Sequence, residues 1–85
     1  MILHNDVEKE LKLMKDSSAV LTFLQKLERY PGTLGDHYEL GLHGEPIQLK
    51  VLKRHVLVYF RDPFANETRV LDLVHVEQGW SRRIS

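Results

Sequence analysis

The chain has 85 residues, of which 42% are hydrophobic and 28% charged, and twelve Lys and Arg balance twelve Asp and Glu. This length fits one small core, and a zero net charge disfavours a dedicated nucleic-acid binder, which usually carries a positive excess. Cysteine is absent, which excludes disulfides, thiolate catalysis and cysteine zinc sites, and no apolar run approaches the ~18 residues of a membrane helix. We therefore expect a single cytoplasmic domain over residues 1–85, without a signal peptide or membrane contact.

Residues 1–31 predict a short strand followed by a helical hairpin. Val7, Leu11 and Met14 recur at i, i+4 and i+7, the spacing of one helix face. Asn5 followed by Glu8 resembles a capping box with Asn5 as the cap, so the helix is expected to begin just after Asn5. After a polar break, in which Asp16 or Ser17 can cap a helix, the second apolar stripe comprises Val20, Phe23, Leu24 and Leu27.

From residue 37 the apolar period changes from that of a helix to that of a strand. Residues 37–77 predict an antiparallel meander, with turns around residues 43–46, 53–54 and 62–67. The continuous apolar run over residues 56–60 is typical of a central strand that is covered on both faces. Residues 78–85 are predicted to form a tail. Together these elements predict an α+β fold with the helical hairpin packed on one face of a three- or four-stranded antiparallel sheet.

His75 is the strongest candidate for chemistry, because it ends a predicted strand and imidazole titrates near neutral pH. Glu77 lies two residues further on the same strand face and is a candidate carboxylate base. A half-buried histidine and a charge that protects a strand edge are the corresponding structural interpretations. The pattern also predicts that Leu71, Leu73 and His75 share one face.

Four cations in the second half of the chain could form a phosphate-facing patch: Lys50, Lys53, Arg54 and Arg61. A solvated hairpin turn explains Lys53 and Arg54 more simply. Trp80, Arg82 and Arg83 suit a tail that docks on a partner, although Trp80 could instead close the protein's own core. The five histidines have no recognised metal-ligand spacing and no glycine-rich phosphate motif is present, so we predict neither a metal nor a cofactor.

Three segments resemble the RelE/ParE superfamily of small toxins. Residues 4–11 (HNDVEKEL) resemble the start of the first helix in that superfamily, and residues 56–61 (VLVYFR) resemble its central strand. Residues 69–75 (RVLDLVH) resemble its last long strand, which often ends in a histidine. The predicted order of a short strand, a helical hairpin and an antiparallel meander is also similar.

The resemblance implies the toxin of a bacterial toxin–antitoxin pair, neutralised by an antitoxin protein. Relatives either cleave mRNA on the ribosome as metal-independent endoribonucleases or inhibit DNA gyrase. For a nuclease, the resemblance and the charge placement suggest proton transfer by His75 or Glu77. Lys50, Arg54 and Arg61 would then bind phosphate or stabilise the transition state, and Arg61 is counted with His75 and Glu77 among the catalytic candidates. The zero net charge favours an alternative, a non-catalytic interaction domain of the same fold or an inactive relative. Dimerisation of the chain is left open.

Overall fold

The computed structural model describes residues 1–76, in which two helices pack on one face of a five-stranded sheet. The helices are α1 (Asn5–Leu13) and α2 (Ser18–Arg29). The strands are β1 (Ile2–Leu3), β2 (His37–Leu40), β3 (Pro46–Leu52), β4 (His55–Asp62) and β5 (Glu67–His75). The α+β class and the pair of helices on one sheet face are confirmed. Neither helix of residues 1–76 is long and apolar enough to cross a membrane.

The sheet is mixed, with the strand order β1-β5-β4-β3-β2. Strands β2 to β5 form the expected antiparallel meander, whereas β1 pairs in parallel with β5, with Ile2 opposite Arg69 and Leu3 opposite Val70. The prediction of three or four antiparallel strands is therefore corrected to five strands in a mixed sheet. The fifth strand arises because the first residues of the chain pair with the last described strand, which local periodicity does not reveal.

The first helix begins one residue earlier than the capping pattern predicted. His4 has extended backbone angles, and its Nδ1 accepts a hydrogen bond from the backbone N–H of Asp6 at 3.1 Å. Asn5 is already helical, so the capping box of Asn5 and Glu8 is wrong. For α2 the cap is Ser17, which makes no capping hydrogen bond with its side chain, while the neighbouring Asp16 bonds Ser18.

The core lies between the helices and the central strands. Leu27 of α2 and Leu57 of β4 are both fully buried. Tyr59 packs against Phe23 with ring centroids 5.7 Å apart, and its hydroxyl donates to the carbonyl of Thr33 at 2.9 Å. Burial raises the pKa of Tyr59 to about 12. The core cluster comprises Val7, Val20, Phe23, Leu24, Leu27, Leu57, Tyr59, Val70 and Leu73.

An irregularity in β5 decides which of its side chains face the helices. Val58 lies opposite Asp72 and Tyr59 lies opposite Val70, so Leu71 has no partner on β4. This β-bulge shifts the alternation, and Val70, not Leu71, joins the core. The predicted face of Leu71, Leu73 and His75 is therefore corrected to Val70, Leu73 and His75. A strict period of two does not anticipate an extra residue.

Candidate active site

A cleft of about 520 Å³ opens where β4 begins and β5 ends. The end of α1, the loop before α2 and the turn between β3 and β4 form its walls. Leu13, Met14 and Leu52 contribute apolar surface. The polar side chains that line the cleft are Glu10, Lys15, Asp16, Lys53, Arg54, His55 and His75.

His55 and Glu10 form a hydrogen-bonded pair in this cleft. His55 Nε2 lies 2.8 Å from Glu10 Oε2, and His55 is only 8% exposed. An ionised carboxylate accepts hydrogen bonds but does not donate them, so Nε2 is the donor whenever Glu10 is ionised. A carboxylate held against one ring nitrogen fixes the orientation of an imidazole. Glu10 thus holds His55 in one position at the start of β4.

His75 lies beside His55, because the two residues are paired across β4 and β5. Their ring centroids are 4.9 Å apart and the ring planes are nearly perpendicular, at 89°. His75 is half-buried, and its Nδ1 is buried without a hydrogen-bond partner among residues 1–76. An unpaired buried polar atom costs free energy and is uncommon in folded proteins outside functional sites. The cleft therefore contains a continuous series of Glu10, His55 and His75.

Lys53 and Arg54 form the two-residue turn between β3 and β4, since Leu52 and His55 are the last paired residues. Lys53 adopts a left-handed backbone conformation with φ 59°, and its Nζ lies 3.4 Å from Asp16 Oδ2 on the opposite wall. The backbone carbonyl of Arg54 accepts a hydrogen bond from Val76 at 2.8 Å, which joins the turn to the end of β5. Two cations therefore border the cleft beside the imidazoles.

Asp16 is ionised over an unusually wide pH range. Its Oδ1 accepts hydrogen bonds from the Ser18 hydroxyl at 2.7 Å and from the Ser18 N–H at 3.0 Å. These bonds, first that of the hydroxyl, together with the nearby Lys53, lower the pKa of Asp16 from 3.8 to about 2. Asp16 therefore faces the cationic turn as a carboxylate.

The structure brings together three of the predicted site residues, His75, Lys53 and Arg54, and separates two others. Lys50 Nζ lies 3.2 Å from Asp36 and above the ring of Phe23. Arg61 lies roughly 20 Å from His55 along β4, given a rise of about 3.3 Å per strand residue. Its guanidinium donates to Thr68 and Asn66 at the β4–β5 hairpin. Lys50 and Arg61 do not line the cleft.

Glu77, Trp80, Arg82 and Arg83 lie outside the described residues. The roles that the sequence suggests for them therefore stay predictions. Within residues 1–76, no group of three or more His, Cys, Asp or Glu side chains is placed to hold a metal ion.

Sequence reasoning missed Glu10 and His55. The signal for Glu10 is its spacing, because it lies three residues after the buried Val7 and thus falls within the apolar face of α1. The signal for His55 is its position directly before the buried run of β4. Neither signal names the partner, since the two residues are far apart in the chain.

Comparisons with known proteins identify no relative of this chain. No family model, curated protein or solved structure matches this chain. The resemblance to RelE/ParE toxins therefore stays a prediction, and the interpretation of the cleft depends on its own geometry.

Proposed function

We propose that this chain is a toxin-like, metal-independent endoribonuclease that cleaves ribosome-bound mRNA in the cleft containing Glu10, His55 and His75. One observation carries the proposal, the half-buried His75 imidazole supported by His55 and Glu10 with two cations beside it. An imidazole can transfer protons at neutral pH, and cations can bind a phosphate group through its negative charge. The resemblance of residues 69–75 to the last strand of the toxins agrees with this placement.

The proposed reaction is transesterification within RNA. A base removes the proton of the ribose 2′-hydroxyl, the 2′-oxygen bonds to phosphorus, and the bond from phosphorus to the 5′-oxygen breaks. A proton then goes to the departing 5′-oxygen, which leaves a cyclic phosphate and a 5′-hydroxyl. His75 transfers a proton in this scheme, and His55 positions it. Glu77 stays the second candidate for proton transfer.

Lys53 and Arg54 have the proposed role of binding the phosphate and stabilising the charge that develops on it. Two cations make few phosphate contacts, and affinity for RNA falls steeply with salt when it depends on such contacts. A chain of zero net charge has no other large electrostatic attraction for free RNA. These points favour an mRNA that is held by the ribosome over one that is captured from solution.

The proposal includes an antitoxin partner and a cytoplasmic location, both from the resemblance. An adjacent small reading frame whose product has a DNA-binding amino-terminal half would encode that antitoxin. Co-expression of this product is expected to suppress toxicity.

The test is inducible expression in a bacterial host, with growth followed and the 5′ ends of cellular RNA mapped. We expect growth arrest and new RNA ends for the parent chain, and neither for His75→Ala. His43→Ala is the matched control, because His43 is exposed in the β2–β3 turn and does not line the cleft. The control should arrest growth as the parent does.

Other outcomes identify the alternatives. Arrest without new RNA ends would contradict the nuclease and favour gyrase, the other target of the toxin superfamily. Normal growth with abundant folded protein would contradict the toxin and favour a non-catalytic interaction domain. The exposed apolar side chains of the β2 edge are the observation that supports this second candidate.

A further inference from the structure

The edge strand β2 leaves apolar side chains uncovered. Strand β2 is the last of the sheet, and Tyr38 and Leu40 are 66% and 69% exposed. Leu34 before the strand and Leu42 after it are also largely exposed. A shallow hollow of about 320 Å³ lies beside Leu34, Tyr38 and Pro46. Clustered apolar side chains at a sheet edge are typical of a surface that pairs with another chain.

The backbone of β2 also presents hydrogen-bonding groups to the outside. Gly41 N–H donates to Glu45 at 2.8 Å, which makes these two residues a hydrogen-bonded pair with β3. Such pairs alternate along an antiparallel ladder, so His37 and Glu39 direct their N–H and C=O groups towards β3. Tyr38 and Leu40 direct theirs away from the sheet. The edge is thus chemically ready to accept one more antiparallel strand.

The opposite edge of the sheet is less suited to pairing. Strand β1 has only two residues, and the amino group of Met1 beside it forms an ion pair with Glu67 at 2.6 Å. Short strands and charges at an edge discourage the addition of another strand. Of the two sheet edges formed by residues 1–76, β2 is therefore better suited to pairing with a strand of another chain.

The side chains of β2 are complementary to those of a second β2. In a two-fold antiparallel pair centred on Tyr38, His37 of each copy lies directly opposite Glu39 of the other. An imidazole and a carboxylate in that arrangement attract each other and can form a hydrogen bond. A two-fold axis generates this contact twice, since both copies use the same surface.

The other face of the same pair gathers the apolar side chains. Tyr38 lies opposite Gln48, which lies opposite the core residue Tyr59, so Tyr38 is on the helix-covered side of the sheet. Leu40 follows on the same side because strand side chains alternate. The two-fold pair thus brings Tyr38 and Leu40 of both copies together beyond the helices.

A two-fold register centred on Glu39 instead sets two carboxylates directly opposite each other. Like charges in directly opposed positions destabilise a strand pair. We infer that β2 pairs with β2 of a second copy, centred on Tyr38, so that the homodimer contains one continuous sheet with five strands from each copy. This inference is independent of the proposed nuclease.

The experiment is sedimentation velocity of the purified full chain over a concentration series. The parent is expected to form a dimer, and Tyr38→Lys and His37→Glu are expected to abolish it, because each sets like charges directly opposite each other. The exchanged variant H37E/E39H restores the opposed pair and should restore the dimer. Phe64→Ser is the matched control, because Phe64 is 99% exposed at a different hairpin and its loss should leave the dimer intact. Circular dichroism checks that each variant is folded.

A parent chain that is monomeric at every concentration would overturn the inference. Dimerisation of Y38K and H37E at the parent's affinity would also overturn it, because the dimer would then use another surface. Glu39→Gln tests the register separately. It should weaken a dimer centred on Tyr38, and a tighter dimer would contradict that register by indicating a relieved contact between two Glu39 side chains.

Discussion

The two ends of the β4–β5 pair carry polar side chains on the same, helix-covered side of the sheet, but they satisfy them differently. At the hairpin end, the Arg61 guanidinium donates to both Thr68 and Asn66. At the cleft end, His55 bonds Glu10, whereas His75 Nδ1 is buried without a partner among residues 1–76. The Arg61 cluster has its hydrogen bonds internally, whereas the cleft cluster retains an unpaired atom that faces a cavity. On the opposite face near the hairpin, Arg69 Nε is also buried without a hydrogen bond within residues 1–76, but it lies 3.4 Å from the Asp62 carboxylate.

The difference separates structural polar residues from candidate functional ones. Satisfied polar clusters stabilise a particular conformation, whereas incompletely satisfied groups that face a cleft are expected where a protein acts. By this criterion Arg61, which sequence reasoning placed in the site, is a structural residue that stabilises the β4–β5 hairpin. The same criterion selects His75, and Glu10 and His55, which sequence reasoning omitted, join the site through their contacts with it.

The strongest test of the comparison removes one polar side chain at each end of the β4–β5 pair. His75→Ala should lower kcat/KM for RNA cleavage by roughly 10²- to 10⁴-fold, the usual contribution of a general acid or base. Arg61→Ala should leave kcat/KM unchanged and lower the free energy of unfolding by about 1 kcal/mol, because it removes partly exposed hydrogen bonds. Cleavage assays and urea unfolding of both variants provide the measurement. Equal losses of activity would remove the distinction between the ends.

The second prediction concerns the apolar centre that both ends share. Leu57 is fully buried midway along β4, so Leu57→Ala should lower the free energy of unfolding by about 2–5 kcal/mol. Phe64→Ala is the control, because Phe64 is 99% exposed and its truncation should change stability by no more than ~0.5 kcal/mol. Urea unfolding measures both. A loss below about 1 kcal/mol for Leu57→Ala would mean that the core repacks around the missing side chain.

The third prediction concerns the carboxylate that distinguishes the cleft end. Glu10→Gln keeps an acceptor near His55 but removes the charge. Hydrogen bonds to charged groups are worth ~1.5–3 kcal/mol, so kcat should fall by roughly 10- to 100-fold. KM should not change, because Glu10 acts through His55 and not on the substrate. Steady-state cleavage kinetics separate the two parameters.

The control for this variant is Glu8→Gln, because Glu8 lies on the exposed face of the same helix. It should leave both kcat and KM at the parent's values. A higher KM with an unchanged kcat for Glu10→Gln would contradict a positioning role and would indicate direct contact with the RNA.

The sequence predicted the elements of both ends but not what distinguishes them. The stripe of Val7, Leu11 and Met14 and the apolar run of β4 identify a helix and a central strand through local periodicity alone. The meeting of Glu10 with His55 depends on how α1 lies across the sheet, which is a contact between distant parts of the chain. His75 was found because it ends a strand, but its neighbour across β4 was not.

Strand register limited the prediction for the same reason. The parallel pairing of Ile2 and Leu3 with β5 and the bulge at Leu71 are set by hydrogen bonds between strands, and neither leaves a clear local pattern. Arg61 shows the consequence, because its residue type and strand suited a phosphate site while its position at the far end of β4 did not.

The fourth prediction uses a backbone feature that occurs near both ends. Asn66 at the hairpin and Lys53 at the cleft both have positive φ, 51° and 59° respectively. Asparagine tolerates this conformation, whereas other residues with a Cβ atom pay roughly 1–2 kcal/mol for it. Lys53→Gly should therefore raise the free energy of unfolding by about 1 kcal/mol, since the gain is partly offset by the flexibility of glycine in the unfolded chain.

If Lys53 binds the phosphate, the same Lys53→Gly variant should cleave RNA more slowly despite its greater stability. Thermal unfolding and kcat/KM measure the two effects. Asn66→Gly is the control at the other end: it should leave kcat/KM unchanged and lower the stability, because it removes the Asn66 side chain that accepts a hydrogen bond from Arg61. Full activity in a stabilised Lys53→Gly variant would contradict a role for this cation in catalysis.

The smallest expected effect compares the carboxylates of the two ends in acid. Hydrogen bonds, first from the Ser18 hydroxyl and then from the Ser18 N–H, lower the pKa of Asp16 from 3.8 to about 2. Backbone N–H groups of the hairpin, chiefly that of Ala65, lower the pKa of Asp62. Because each pKa is lower in the folded state, ionisation of each carboxylate stabilises the fold above the unfolded-state pKa, and this contribution is lost as the pH falls.

Asp16→Ala should therefore unfold at a lower temperature than the parent at neutral pH, with a difference that shrinks as the pH falls from 3.8 to about 2. Asp62→Ala should behave similarly at the other end, so acid sensitivity should not distinguish the two ends as activity does. Thermal unfolding over a pH series measures both variants. A difference for Asp16→Ala that stays constant through this range would mean that Asp16 stabilises the loop without its charge, and the Ser18 hydrogen bonds would then not be the source of its effect.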